Sequence, residues 1–126
     1  MSTFSDKIEK LLNDLMNQIP DIEGLILSKA DGSLIVAQTI FPDLDDQLIS
    51  KTAVEVAESA IQLSGTIEKG EIKELNVEFN EGFCLITSKN DLVLTVIAGT
   101  DARSQLGLIK MNLQKTLNAI IREMES

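Results

Sequence analysis

The apolar positions of this chain switch between helical spacing, strict alternation and unbroken runs, and each switch marks an element. Ile8, Leu11, Leu12, Leu15, Met16 and Ile19 recur at helical spacing and form one apolar face. Asp6 followed by Glu9 has the spacing of a capping box, with Asp in place of the usual Ser or Thr, and Pro20 stops the helix. Gly24 to Lys29 and Leu34 to Gln38 are two apolar runs joined by Ala30-Asp31-Gly32-Ser33. An Asp-Gly pair between such runs predicts a hairpin, because both turn residues must tolerate positive φ. After the short loop Phe41-Pro42-Asp43, a second helix is predicted from Leu44 to Ser64, closed by Gly65. Asp43, Asp45 and Asp46 lie where negative charge favours a helix N-terminus.

From Glu71 to Phe79 the chain alternates, with Leu75, Val77 and Phe79 on one face and Glu74, Asn76 and Glu78 on the other, as a half-exposed strand does. Glu81-Gly82 turns it into Phe83-Cys84-Leu85-Ile86-Thr87, and Lys89-Asn90-Asp91 turns again into Leu92 to Ala98. That last run is nearly all apolar and reads as buried on both faces. The final helix begins near Ala102 and buries Leu106, Ile109, Leu113, Leu117, Ile120, Ile121 and Met124, leaving Leu108 and Met111 off the stripe. With no repeat or linker, residues 1–126 read as one domain of mixed α and β class, a sandwich in the order α-β-β-α-β-β-β-α. Its five-stranded antiparallel sheet carries a pair of helices on one face and the middle helix on the other.

The middle helix has too much apolar surface for a helix that lies on one sheet. Gln47, Lys51, Glu55, Glu58 and Gln62 share a polar sector of roughly 80°, and apolar residues fill most of the rest, whereas a stripe of about 100° suffices for a surface helix. It is expected to pack on the sheet and also on a partner.

Charge and composition narrow the function by exclusion. Twenty acidic residues against 11 basic give a net charge of −9, with no cluster of Lys and Arg to neutralise phosphates, so nucleic acid is not an expected partner. The same acidity argues against an anionic membrane surface, and no apolar run approaches the about 20 residues that span a bilayer, so no membrane insertion is expected. The polar start, without a basic region and apolar run, leads to the expectation of a soluble cytoplasmic protein. There is no histidine, which removes Ser-His and Cys-His nucleophile pairs and the usual zinc sites. Cys84 is the single cysteine and sits inside an apolar strand, as a small hydrophobe would. The acidic cluster at Asp43, Asp45 and Asp46 lacks the Gly and Glu of a calcium loop, with Leu48 and Val54 in their places. Gly65 to Gly70 is followed by Glu71 and Ile72 instead of Lys and Ser or Thr, so it is no phosphate loop. Twenty carboxylates make chance acid pairs certain, yet the 3 % of aromatic residues could hardly line a sugar site. Arg103 and Arg122 are the only arginines, both in the last helical stretch. No catalytic, cofactor or metal residue is assigned, and the expectation is that the protein is not an enzyme.

Three segments carry a resemblance: Ile22-Glu23-Gly24-Leu25-Ile26-Leu27-Ser28-Lys29-Ala30-Asp31-Gly32; Gly82-Phe83-Cys84-Leu85-Ile86 with Leu92-Val93-Leu94-Thr95-Val96; and Leu106-Gly107-Leu108-Ile109. In this order and spacing the chain resembles the Roadblock family of small dimeric platform proteins, over nearly its full length. The resemblance implies two-fold pairing, with the third strands joined antiparallel into one continuous sheet and the middle helices side by side. Carried onto this chain, the interface would comprise Ala53, Val56, Ala57 and Ala60 with the edge at Ile72, Glu74, Asn76 and Glu78. A self-complementary patch is what two-fold symmetry requires. The resemblance further implies a homodimer, or a heterodimer with a paralogue, that binds a Ras-like small GTPase and modulates its nucleotide cycle without donating an arginine. The face offered to that partner would be Gln47, Lys51, Glu55, Glu58 and Gln62. The alternatives are a structural adaptor with no effect on nucleotide turnover and a small-ligand sensor.

Overall fold

A computed structural model describes residues 4–125. The elements are α1 (Phe4–Gln18), β1 (Ile22–Lys29), β2 (Leu34–Thr39), α2 (Asp46–Ile67), β3 (Leu75–Phe79), β4 (Gly82–Lys89), β5 (Leu92–Gly99), a 3-10 helix (Thr100–Gln105) and α3 (Leu106–Glu125). The five strands form one antiparallel sheet in the order β2-β1-β5-β4-β3, so β2 and β3 are its edges.

The element order matches the pattern of the sequence, and several boundaries move for physical reasons. Helix α1 already includes Phe4, so Asp6 lies inside its first turn and does not cap it, where its charge still suits the helix dipole. The residues that precede Phe4, with Ser126, lie outside the described residues. The cap of α2 is Asp45, whose Oδ1 accepts from the Leu48 backbone N–H at 3.1 Å. The helix then runs through Gly65, which only weakens a helix by about 1 kcal/mol relative to Ala, and ends at Glu68 in the left-handed region with φ 56. Strand β3 starts at Leu75, so Ile72 and Glu74 precede it. The last helical region opens as a 3-10 turn that buries Ala102 before α3 begins at Leu106. Within α3, Ile109, Leu113, Leu117, Ile120 and Ile121 are buried as expected, but Met124 is exposed near the helix end.

Two of the three hairpin turns differ from a simple reading of their sequences. Between β1 and β2 only Gly32 takes positive φ (+92°), in a four-residue loop where the Ser33 N–H and Oγ both donate to Asp31 Oδ1, at 2.9 and 2.6 Å. These bonds, the Ser33 hydroxyl's first, hold the Asp31 carboxyl below the usual carboxylate range. The tight two-residue turn with both φ positive is Asn90-Asp91, between β4 and β5. The Ala30 N–H donates to the Asp91 carbonyl at 2.9 Å, tying the two turns together at one end of the sheet.

The sheet separates two cores of unequal size. On one side α1 and α3 cover Leu25, Leu27, Phe83, Leu85, Leu92, Leu94 and Val96, with Ile8, Leu12, Ile109 and Leu113 among the fully buried residues of that layer. On the other, α2 alone packs Ala53, Val54 and Ala57 on Ile86 and Val93, with Leu75 at the margin. Thr95, in the same cross-strand row as Ile86, is buried with its hydroxyl unpartnered.

Two substitutions test this account. Glu68→Gly should stabilise the protein by about 1 kcal/mol, because glycine occupies the left-handed cap without Cβ strain. Thr95→Val keeps the shape and removes an unsatisfied buried hydroxyl, so denaturant unfolding should show it about 1 kcal/mol more stable.

Candidate protein interface on the α2 face

The position of α2 is fixed at its N-terminal end by polar contacts with the β1–β2 turn. Ser50 and Ser28 are fully buried with their hydroxyl oxygens 2.6 Å apart, and Ser50 Oγ lies 2.8 Å from the Gly32 carbonyl. A single hydroxyl proton serves one acceptor, so Ser50 donates to Gly32 and accepts from Ser28. Gln47 Nε2 also donates to the Gly32 carbonyl (3.2 Å), while its Oε1 accepts from the Leu34 N–H (3.4 Å). A Cβ on Gly32 would come within 3.5 Å of the Lys51 Cα. The flank of α2 that carries Gln47 and Lys51 therefore points to the turn end of the sheet.

The opposite flank is largely apolar and largely exposed. Ile49, Val56 and Leu63 recur every seven residues, with Thr52 and Ala60 between them and Ile67 after them at three- and four-residue steps, the spacing of a helix–helix seam. Val56, Leu63 and Ile67 are 38, 58 and 51 % exposed. This flank looks down on the sheet row Gly24–Ile97–Cys84–Val77, which pairs in register across β1, β5, β4 and β3. Ile97, Cys84 and Val77 are only half-buried, and Phe79, next on the same face of β3 by alternation, is exposed. Partial burial raises the Cys84 thiol above its ordinary pKa, so it is a weak nucleophile at neutral pH. The helix flank and the open row make one apolar surface that runs out to the β3 edge.

The sequence-predicted residues divide accordingly. Ala53 and Ala57 are 6 and 4 % exposed because they face the chain's own sheet, which leaves them little surface to offer a partner. Val56 lies on the outward flank, and Ala60, half-buried, at its margin. Asn76 and Glu78 lie on β3 itself, whereas Ile72 and Glu74 sit in the segment before it. Of the predicted partner-binding set, Gln47 is committed to the β1–β2 turn, while Lys51, Glu55, Glu58 and Gln62 are exposed along the polar flank. The apolar flank also includes Ile49, Leu63 and Ile67, and it is continuous with the sheet row at Ile97 and Cys84, none of which is in the expected interface set. Their seven-residue spacing was available, but which flank meets the sheet depends on the anchors at Gln47 and Ser50.

Sequence analysis also missed what Arg103 does. Its Nε and Nη2 each lie 3.0 Å from Glu78 Oε2, and Nη2 donates to the Phe79 carbonyl at 3.0 Å. Lys110 of α3 pairs with Glu74 at 3.4 Å. Both contacts brace the β3 edge from the α3 side. Among the described residues no three His, Cys, Asp or Glu side chains converge as metal ligands, and no helix is long and apolar enough to cross a membrane. A cleft of about 560 Å³ lies between the end of α2 and the β4–β5 turn, lined by Ile61, Ser64, Glu68, Ile72 and Lys89 among others, and it is open to solvent.

The sheet is covered on one face and half-covered on the other, with apolar surface continuing to an open edge. Residues 8–98 match the Roadblock/LC7 domain, and the chain belongs to that family, whose members are generally regulatory or adaptor proteins. Comparison with curated proteins gives no match. Among solved structures, MglB of Myxococcus xanthus is similar with 17 % identity and a TM-score of 0.87, covering 99 % of this chain and 92 % of that one. A Roadblock/LC7 domain from Streptomyces avermitilis has 14 % identity and a TM-score of 0.83 (93 and 97 % covered). The gliding protein MglB of Thermus thermophilus has 11 % identity and a TM-score of 0.84 (99 and 93 % covered). At these identities the likeness is one of fold.

The two flanks of α2 give opposite expectations for neighbouring residues. Ala57→Glu buries a charge against Ile86 and should cost several kcal/mol of folding stability, visible as a large drop in melting temperature. Val56→Glu should leave the melting temperature of the isolated chain within a few degrees of wild type, since its side chain points outward.

Proposed function

We propose that two copies of this chain pair through the β3 edge and the apolar flank of α2, and that the resulting non-catalytic platform binds and regulates a Ras-like small GTPase. The observation that carries the reading is the unfinished α2 face. Its apolar flank is exposed and the row through Ile97, Cys84 and Val77 is only half-buried, beside an edge strand unpaired on its outer side. A second copy would cover that surface and satisfy the strand edge in one step. A paralogue of the same fold would do so equally well.

The GTPase part rests on the family. Its prokaryotic members commonly act on such partners, and two of the structurally similar proteins are MglB. The chain's own chemistry limits how regulation could work. Arg103 is held by Glu78 and the Phe79 carbonyl, and Arg122 lies on α3, in the layer on the far side of the sheet from α2. A GTPase seated on the α2 face would receive no arginine from this chain, so regulation would proceed by positioning the GTPase's own catalytic groups. The exposed ridge of Lys51, Glu55, Glu58 and Gln62 is the polar surface offered to it.

The test is capture of a small GTPase from the source organism's extract in GTP-analogue and GDP conditions. The expected result is retention in one nucleotide state by the wild type. With the captured GTPase in hand, Glu55→Lys with Glu58→Lys should weaken binding by tenfold or more, roughly the effect of two reversed charges at a contact. Unchanged affinity would move the contact off the ridge. Binding without any change in nucleotide turnover would make the chain an adaptor.

A further inference from the structure

The β3 edge has a charge problem that a second copy makes worse. Strands that join edge to edge antiparallel about a two-fold axis keep each sheet face on its own side. The row Glu74, Asn76 and Glu78 of one copy would therefore meet the same row of the other. In every register that brings these rows together, a Glu of one copy lies directly opposite or diagonal to a Glu of its mate. Cβ atoms at directly opposite positions are about 4.5–5.5 Å apart and diagonal neighbours about 7–8 Å, and like charges at such positions are destabilising. The chain's net charge of −9 offers no general relief.

We propose that Arg103 and Lys110 are built-in counter-ions that make the β3 edge compatible with a second copy of itself, an inference that rests on the pairing proposed above. Each acid of the row has its own base, both reaching across from the α3 layer: Arg103 at 3.0 Å from Glu78, and Lys110 at 3.4 Å from Glu74. The Arg103 guanidinium is fixed further by the Phe79 carbonyl, and the Asn76 amide donates to Glu78 Oε1 at 3.3 Å. The Glu78 and Arg103 side chains are 50 and 47 % exposed. A pair so wet contributes little to folding the isolated chain. Its value arises when a second strand approaches, water leaves the edge and the neighbouring carboxylate comes within a few ångströms. The device sets partner choice: the edge accepts a strand that brings its own counter-ions, as this one does, and resists an acidic strand that lacks them.

The experiment is sedimentation equilibrium of the full chain as wild type, Arg103→Ala, Glu78→Gln and the double variant, in low salt and in about 1 M salt, where the Debye length is about 3 Å. The pair occurs twice about the axis, so Arg103→Ala should weaken dimerisation about tenfold in low salt, with most of the loss gone in high salt. Adding Glu78→Gln should return the constant to within about threefold of Glu78→Gln alone, since the carboxylate that Arg103 shields is then gone. The bond from Arg103 to Phe79 is missing from both Arg103 variants, so the rescue reads charge and not strand position. A wild type that stays monomeric throughout would remove the pairing itself. A dimerising wild type matched by Arg103→Ala, or a double variant no tighter than Arg103→Ala, would overturn the counter-ion role and leave the pairing standing.

Discussion

The structure depends on a mismatch of areas: one helix is asked to cover a sheet face that needs two. A helix with its side chains is about 10–12 Å across, while an eight-residue strand is about 27 Å long. On the α1 and α3 side two helices meet that demand, and the row from Leu25 through Val96 to Leu85 is sealed. On the other side α2 crosses only the end of the sheet nearest the β1–β2 and β4–β5 turns. Small residues at Ser50, Ala53 and Ala57 let it come close. Close approach gives a tight contact but a narrow one, and the rows beyond it stay half-open.

What decides where α2 lies is polar, not apolar. Apolar burial alone would tolerate several rotations of a helix with so much hydrophobic circumference. The paired hydroxyls of Ser28 and Ser50 and the amide of Gln47 on the β1–β2 loop select one rotation, because any other would bury these hydroxyls without their partners. That rotation turns Val56, Leu63 and Ile67 away from the chain's own core, toward the uncovered rows. The fold thus presents an apolar surface because its hydrogen bonds require it, and the β3 edge, braced by Arg103 and Lys110, lies beside that surface.

Periodicity along the chain made most of the architecture legible. Ile109, Leu113, Leu117, Ile120 and Ile121 could be placed on a buried face because helical spacing is a local property, and the strands from Phe83 to Ala98 followed from their length and flanking turns. The sequence was silent wherever a choice depended on distant residues. Ala53 and Ala57 looked as suited to a partner as Val56, because a wheel shows which residues share a side but not which side meets the sheet. Gly65 looked like a stop, yet a helix ends where its capping geometry closes, here at Glu68. The pairing of Arg103 with Glu78 spans 25 positions and needs both the 3-10 turn after β5 and the edge position of β3, neither of which leaves a local mark.

On the pairing proposed above, a second copy covers the β3 edge and the outward flank of α2 in the working protein. Hydrogen–deuterium exchange followed against protein concentration tests it most directly. The account predicts that the outward-pointing amides of β3, and the α2 segment around Val56 and Leu63, gain protection as concentration rises, while β2, at the other edge, does not change. If β3 exchanges equally fast at every concentration, this face is not where copies of the chain meet.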